Sequence, residues 1–368
     1  MLIKSSQPIN AAEQILSYVG SDAALIFIAE KTPIKINGLI KELNDRDIKF
    51  MGGIFPKIII EESAYEEGIV VKKLCDLEKI QLIKNLSYKN YNVSGFEFSS
   101  DEKYTVITFV DGLTTNISHY LEKLYETFGM QTNYLGGGAG SLSLTQQPCV
   151  FTNDGIYQDA AVFSILKKKS NIGVSHGWKK INGPFVVTKA KGNLIQEINW
   201  KQPFQVYKKV VEEHSGREIN KENFFSIAKG YPFGILKDSS KYIVRDPLKT
   251  NDKGELICVG ELENNMVVDI LYGEKESLID AAKTACEEGL KSSNNIRKAH
   301  VIDCISRVLF LEKGFDNELQ AIKRSLSSKH QDIIISGALT LGEISSYGNG
   351  FIEFYNKTVV IGLIEHED

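Results

Sequence analysis

Much that would place this chain quickly is missing from it. No stretch approaches the ~18 uncharged apolar residues of a membrane-crossing helix, and the opening MLIKSSQPINAAEQIL holds no apolar signal segment. The expectation is a cytoplasmic protein without membrane contact. Cysteine is scarce: five residues, at 75, 149, 258, 286 and 304, with no CxxC pair. That pattern speaks against a disulfide framework or structural zinc and suits reduced thiols. Neither sign of charge dominates, with 43 basic and 47 acidic residues and a formal net charge of −4. Nucleic acid therefore has no electrostatic footprint to follow, and the short run Lys167–Lys169 reads as a solvated strand end. HExxH, GxSxG and kinase motif sets are absent, as is the GK[ST] ending of a Walker loop. The histidines stand singly, at 119, 176, 214, 300, 330 and 366, without local metal-ligand spacing.

What is present is alternation. Apolar runs such as AALIFIAE (23–30) alternate with amphipathic stretches such as ISHYLEKLYETFG (117–129), so the fold class is mixed α/β (α+β). At 368 residues two domains are expected. One order of elements recurs three times: strand, helix, strand, a small-residue turn, then a return strand. It covers 23–30 onward, 103–168 and 299–365, with the turns at MGG (51–53), GGG (136–138) and SGA (336–338). Either layered sheets and helices are built from a repeated unit, or α/β units resemble one another by chance. Between the second and third occurrences, 171–199 reads as a β-meander with turns at Asn182-Gly183 and Gly192-Asn193, and 203–216 as a helix. The less regular KENFFSIAKGYPFGILK (221–237) is the linker candidate. A hairpin over 241–262 turning at NDKG and a helix over 277–293 complete the order.

The glycine run in YLGGGAGSLSLTQQPCV lies where a dinucleotide fingerprint could sit. Ser141 replaces the third glycine, however, and Pro148 in an alternating stretch leaves no helix to face a pyrophosphate. Gly136, Gly137 and Gly138 either bend a sheet or bring backbone close to a ligand. His176 in GVSHGW is either a hydrogen-bonded turn residue or an imidazole open to haem iron. Arg245 in IVRDPL is either salt-bridged in a sheet or a fork for a carboxylate. Asp303, Cys304, Ser306 and Arg307 in VIDCISR fall at the end of an apolar strand, where α/β sheets place ligands. Glu343 in TLGEIS follows the third small-residue turn and is a contact for an ammonium group, a cap or a solvated acid.

GGGAGS, VFTNDGIYQDAAVF, GVSHGWKKINGPFVVTKAKGN, YIVRDPL, CISR and GALTLGEIS…FYNKTVVIGL occur in this order over most of the chain. Together they resemble the FIST domain family, bacterial sensory proteins with paired amino- and carboxyl-terminal FIST domains. The chain departs from the family pattern at Ser141 and in IDCISR. The resemblance implies a FIST N-terminal domain over 1–220, a FIST C-terminal domain over 221–368, and a non-enzymatic sensor of the stand-alone form. It implies a small ligand, amino-acid-like or haem with nitric oxide, and output through a partner such as a histidine kinase or a cyclic-di-GMP enzyme. The alternative from another class is a hydrolase or transferase with Cys304 as nucleophile.

Overall fold

The computed structural model describes residues 1–99, 101–238, 241–291, 296–346 and 351–365. His366 and the end of the helix expected over 277–293 lie outside the described residues.

Three units follow one plan. The first runs β1 (Leu2–Ile3), α1 (Pro8–Val19), β2 (Ala23–Ala29), α2 (Ile36–Asn44), β3 (Phe50–Phe55), a hairpin of β4 (Lys57–Ile60) and β5 (Ser63–Tyr65), and the return strand β6 (Ile69–Leu74). The second runs β7 (Leu77–Lys84), β8 (Tyr104–Asp111), α3 (Ile117–Phe128), β9 (Thr132–Ala139), the hairpin β10 (Val150–Thr152) and β11 (Gly155–Tyr157), and β12 (Ala160–Leu166). The third opens with β13 (Ser170–Ser175) and then takes an insertion. This comprises β14 (Lys179–Lys191), β15 (Leu194–Ile198), α4 (Pro203–Ser215), α5 (Phe224–Ala228), β16 (Phe233–Asp238), β17 (Lys241–Thr250), β18 (Leu256–Val259) and β19 (Val267–Tyr272). The plan resumes with α6 (Lys275–Leu290), β20 (Ile296–Cys304), α7 (Ile305–Leu311), α8 (Phe315–Ser327) and β21 (Ile334–Thr340). The hairpin β22 (Glu343–Ser346) and β23 (Ile352–Tyr355) and the return strand β24 (Val359–Glu365) close it.

Each unit builds a six-stranded sheet, but with a borrowed hairpin. The orders are β1-β6-β2-β3-β10-β11, β7-β12-β8-β9-β22-β23 and β13-β24-β20-β21-β4-β5. The hairpin of each unit thus completes a different sheet. At the centre of every sheet lies one parallel pair, β2 with β3, β8 with β9, and β20 with β21. The inner faces of the three sheets share one apolar core, holding Phe27, Phe109, Ile302, Val70, Val162 and Val360. Outer faces are covered by α1 and α2, by α3, and by α6 with α8. Burial on both faces explains why β2, β8 and β12 are buried along their whole length and read as unbroken runs. The insertion closes a barrel, β14-β15-β18-β17-β16-β19, filled by its own core.

Three sequence expectations change here. MGG, GGG and SGA are not turns; they lie inside β3, β9 and β21. Gly52, Gly136 and Gly337 stand in register with Ile26, Thr108 and Val301 of the parallel neighbour, and a Cβ at each would land on that residue's carbonyl oxygen. Asn182-Gly183 lies within β14, not at a turn. Residues 221–237 are no linker either. Phe224, Ile227, Ala228, Tyr231, Phe233 and Ile235 all enter the barrel core, which a segment with two short elements can fill without showing a period.

Candidate functional site

β20 and β21 end side by side, Cys304 opposite Thr340. Four segments from elsewhere meet them: the β13–β14 junction with His176 and Trp178, β17 with Asp246, α8 with Glu318, and residues 356–358 between β23 and β24. The barrel and the third sheet therefore share a junction at the strand ends, the place where ligands sit on open α/β layers.

Arg307, at the start of α7, is fully buried and organises this junction. Its Nε donates to Glu318 Oε1 at 3.0 Å and its Nη2 to Glu318 Oε2 at 2.6 Å, a bidentate pair. Nη2 also donates to the Leu278 carbonyl at 2.9 Å, and Nη1 to the carbonyls of His176 at 2.7 Å and Lys357 at 3.2 Å. All five guanidinium N–H groups are thereby used within the chain. Asp303 Oδ1, four residues earlier on β20, lies 3.3 Å from Nε. The second cation, Lys357, is held at a left-handed φ of 56°. Its Nζ reaches Asp246 Oδ2 at 3.0 Å and the Lys229 carbonyl at 2.9 Å, and lies over the Trp178 ring at 4.8 Å. Ser306 Oγ donates to the same Asp246 oxygen at 3.0 Å.

Four buried carboxyl groups (Asp246, Asp303, Glu318 and Glu343) thus face two buried cations, Arg307 and Lys357. A low-dielectric interior does not tolerate two surplus negative charges, so protons make up the difference. Burial, with the Glu318 carboxylate next, holds Asp303 well above the usual carboxylate range. Burial pushes Glu343 up to about 8, against hydrogen bonds from Thr340 Oγ1 at 3.0 Å and the Thr358 amide at 3.1 Å. Asp246 is also raised by burial, with Lys357 opposing. The charge-balanced cluster pairs Lys357 with Asp246 and Arg307 with Glu318, leaving Asp303 and Glu343 protonated.

Not every polar atom here is satisfied. Among the described residues Asn356 is buried with neither its Oδ1 nor its Nδ2 hydrogen-bonded, Asp246 Oδ1 has no hydrogen bond, and Asp303 has its ion pair with Arg307 alone. Each such group costs about 1–3 kcal/mol if left dry, so a polar molecule entering here, water included, finds hydrogen-bonding atoms to meet.

His176, expected in a turn, therefore converges with Asp303, Cys304, Arg307 and Glu343, which were expected near strand ends, whereas Arg245, also expected there, does not join them. Arg245 and the glycines do other work. Arg245 points away from Asp246 and donates to the carbonyls of Glu261 at 3.0 Å, Val244 at 3.1 Å and Phe354 at 3.0 Å, tying the barrel to β23. Gly137 pairs with Glu343, and the Gly138 amide is taken by the Gly342 carbonyl at 2.7 Å, so the run supports the site through close strand packing. Burial, then the nearby Glu343, pushes the Cys304 thiol well above its ordinary range, and a thiol so held is a poor nucleophile.

The residues about His176 do not fit haem. Its Nδ1 accepts the Trp178 amide at 2.9 Å, which places the proton of the neutral ring on Nε2. A histidine ligating iron through Nε2 would carry its proton on Nδ1, directly against that N–H. Burial, then Arg307, draws its pKa down to about 4, so the ring stays neutral, although part of its surface remains open. The described residues contain no group of three or more His, Cys, Asp and Glu side chains arranged to hold a metal ion.

Glu318, Asn356 and Lys357 are the participants that sequence reasoning passes over. Glu318 had a signal: it sits on the apolar stripe of α8 beside Phe315, Leu319 and Ile322, where an acid needs a buried partner. Asn356 and Lys357 form a polar step between two buried strands.

Comparison with known families decides the affiliation. Residues 22–201 match the FIST N domain and residues 203–346 match the FIST C domain. The chain belongs to the FIST family. No curated protein matches it. FIST domains are sensory domains rather than catalytic ones. The two matches meet at the start of α4, so the FIST N match supplies β14 and β15 of the barrel and the FIST C match β16 to β19. The 220/221 division falls later, between α4 and α5, which both pack into the barrel core. The cluster spans both matches: His176 and Trp178 come from FIST N, and Asp246, Asp303, Arg307, Glu318 and Glu343 from FIST C. Among the described residues no helix is long and apolar enough to cross a membrane.

Proposed function

We propose that this FIST protein is a non-enzymatic sensor whose reading centre is the buried acid cluster at the barrel–sheet junction. Its ligand is a small molecule carrying ammonium or amide N–H donors. One observation carries this reading: Asn356 and Asp246 Oδ1, buried without a hydrogen bond among the described residues, stand on the segments that meet Asp303 and Glu343, and two of these three atoms are acceptors. A surplus of carboxyl groups over cations favours a donor ligand, and a positively charged one would displace the protons that Asp303 and Glu343 now hold. With Arg307 committed internally, it acts as the frame of the site, and Glu343 keeps its place as a contact for an ammonium group.

Transmission follows from where the cluster lies. Asp246 belongs to the barrel, while Lys357 and Ser306 belong to the third unit, so a ligand that favours one packing of these bodies shifts their equilibrium. The output passes to a partner protein, for which the family suggests a histidine kinase or a cyclic-di-GMP enzyme. A cytoplasmic setting suits five cysteines that form no disulfide.

Native mass spectrometry of the purified protein, followed by calorimetry with small amines and amides, tests the reading. Asn356→Leu and Asp303→Asn should each weaken binding at least about tenfold (1.4 kcal/mol), whereas Lys209→Ala on the surface should not. Unchanged affinity in both site variants, or binding confined to ligands without N–H donors, would overturn it.

A further inference from the structure

The shared core between the three sheets has a pseudo-threefold axis, and registers show which residues are equivalent along it. Val71, Phe163 and Ile361 face Ile26, Thr108 and Val301 in the three sheets. One position back, Val70, Val162 and Val360 make an apolar level of the core. One position on lie Lys72, Ser164 and Gly362, opposite Leu25, Ile107 and His300. Three places where symmetry and burial call for apolar side chains thus carry Lys72, Ser164 and His300. Lys72 is 2% exposed, Ser164 0% and His300 5%.

These groups are donors or cations without an anionic partner. Among the described residues Lys72 Nζ donates only to the carbonyls of Ala299 at 3.0 Å and Ser336 at 3.3 Å. Ser164 Oγ has no partner, and His300 makes no hydrogen bond among the described residues. Just outside this level lies a cavity of about 30 Å³, ringed by the equivalent residues Leu74, Leu166 and Ile364 and reached by Lys298 and His300. The charges at its rim are already paired: Lys73 with Asp22 at 3.8 Å, Lys168 with Asp76 at 2.9 Å, and Glu365 with Lys169 at 2.9 Å. The inner nitrogens are not.

We propose that this cavity is an anion site on the pseudo-threefold axis, sized for a halide, with Lys298 and His300 as direct donors and Lys72 as the charge behind them. A space of this volume takes a water-sized group, and a halide is close to that size. The leucine and isoleucine ring keeps the surroundings apolar, which strengthens attraction between the ion and the nitrogens. Burial and mutual repulsion lower the proton affinity of Lys72 and of His300. An anion reverses that repulsion, so binding takes up a proton and tightens as pH falls. The other charges in reach of Lys72 are the Met1 amino group, Lys298 and Glu61, and Glu61 is bonded to Lys323 at 2.6 Å. The site lies away from the Cys304 end of β20 and stands independently of the acid-cluster reading.

Thermal unfolding of the intact protein in sodium bromide and in sodium gluconate, at one ionic strength, tests the proposal. At pH 6 the midpoint should rise by roughly 2 °C for each tenfold increase in bromide above its Kd, and by less at pH 8. The bromide-specific rise should vanish in His300→Gln and in Lys298→Gln. Equal rises in the variants, or no difference between bromide and gluconate, would refute the site. If the variants do not fold, anomalous diffraction from wild-type crystals grown in bromide decides: a peak in the cavity supports the proposal, and an empty or water-filled cavity ends it.

Discussion

Replacing Glu343 by glutamine should stabilise the protein at alkaline pH and leave it nearly unchanged in acid. In the folded chain Glu343 keeps its proton up to about pH 8 against an ordinary value of 4.5. The unfolded chain releases that proton near 4.5, so between these limits the native state binds more protons. Raising the pH then favours unfolding. The stability tied to this group is fully present below its unfolded pKa and is lost as pH climbs to about 8. Over that window the loss is at most about 5 kcal/mol, at 1.36 kcal/mol per unit. Glutamine mimics the protonated acid: its amide can donate to Thr340 Oγ1 while its carbonyl accepts from the Thr358 amide, the two partners Glu343 has now. Urea unfolding at pH 5, 6, 7 and 8 gives the comparison. The stability of Glu343→Gln relative to the wild type should grow steadily across the series, the variant standing above the wild type by pH 8. The slope common to both belongs to the other buried groups, Asp303 in the same sense and His176 and His300, whose proton affinity is lowered, in the opposite one. Parallel profiles would show that Glu343 ionises freely and that the cluster is not balanced by protons.

Other perturbations follow from the same geometry. Glu318→Gln leaves Arg307 without its bidentate partner and should cost about 3 kcal/mol in denaturant unfolding; a cost below about 1 kcal/mol would mean that Asp303 takes over the pairing. Gly136→Ala drives a methyl group into the Thr108 carbonyl and should yield insoluble protein, whereas Gly314→Ala, with open space around it, should stay within about 0.5 kcal/mol of the wild type. Under native conditions iodoacetamide should label Cys75 first, since the other four cysteines are buried. Rapid labelling of Cys304 would revive the nucleophile reading.

Much of the frame is legible in the sequence because burial on both sheet faces writes itself as apolar runs. β2, β8 and β12 are visible in this way, and α3 and α4 through their periodicity. Glycine is harder to place. A run such as GGG signals a turn in one dimension, but the need for it at Gly136 comes from the carbonyl of Thr108, one strand away. The site was half visible for a similar reason. Asp303, Cys304 and Arg307 sit together in sequence at a strand end, so the rule for α/β layers finds them. Glu318 and Lys357 join through tertiary packing, and without them Arg307 looks like an open fork when it is in fact a filled one.

The exchange of hairpins has a consequence for how the chain is made. β4 pairs at once with β5 but has no second neighbour until β21 exists, and the Ile335 amide donates to Glu61 in that hairpin across 274 positions. At ~5–20 residues per second, synthesis of that interval takes roughly 15–55 s, during which the β4–β5 hairpin stands without its sheet. Long-range pairings of this kind also slow the folding step itself. β24, almost the last strand to leave the ribosome, pairs with both β13 and β20 and so completes the third sheet. A nascent chain stalled before it has every strand of two sheets, but its third sheet is split, with β13 cut off from β20, β21, β4 and β5.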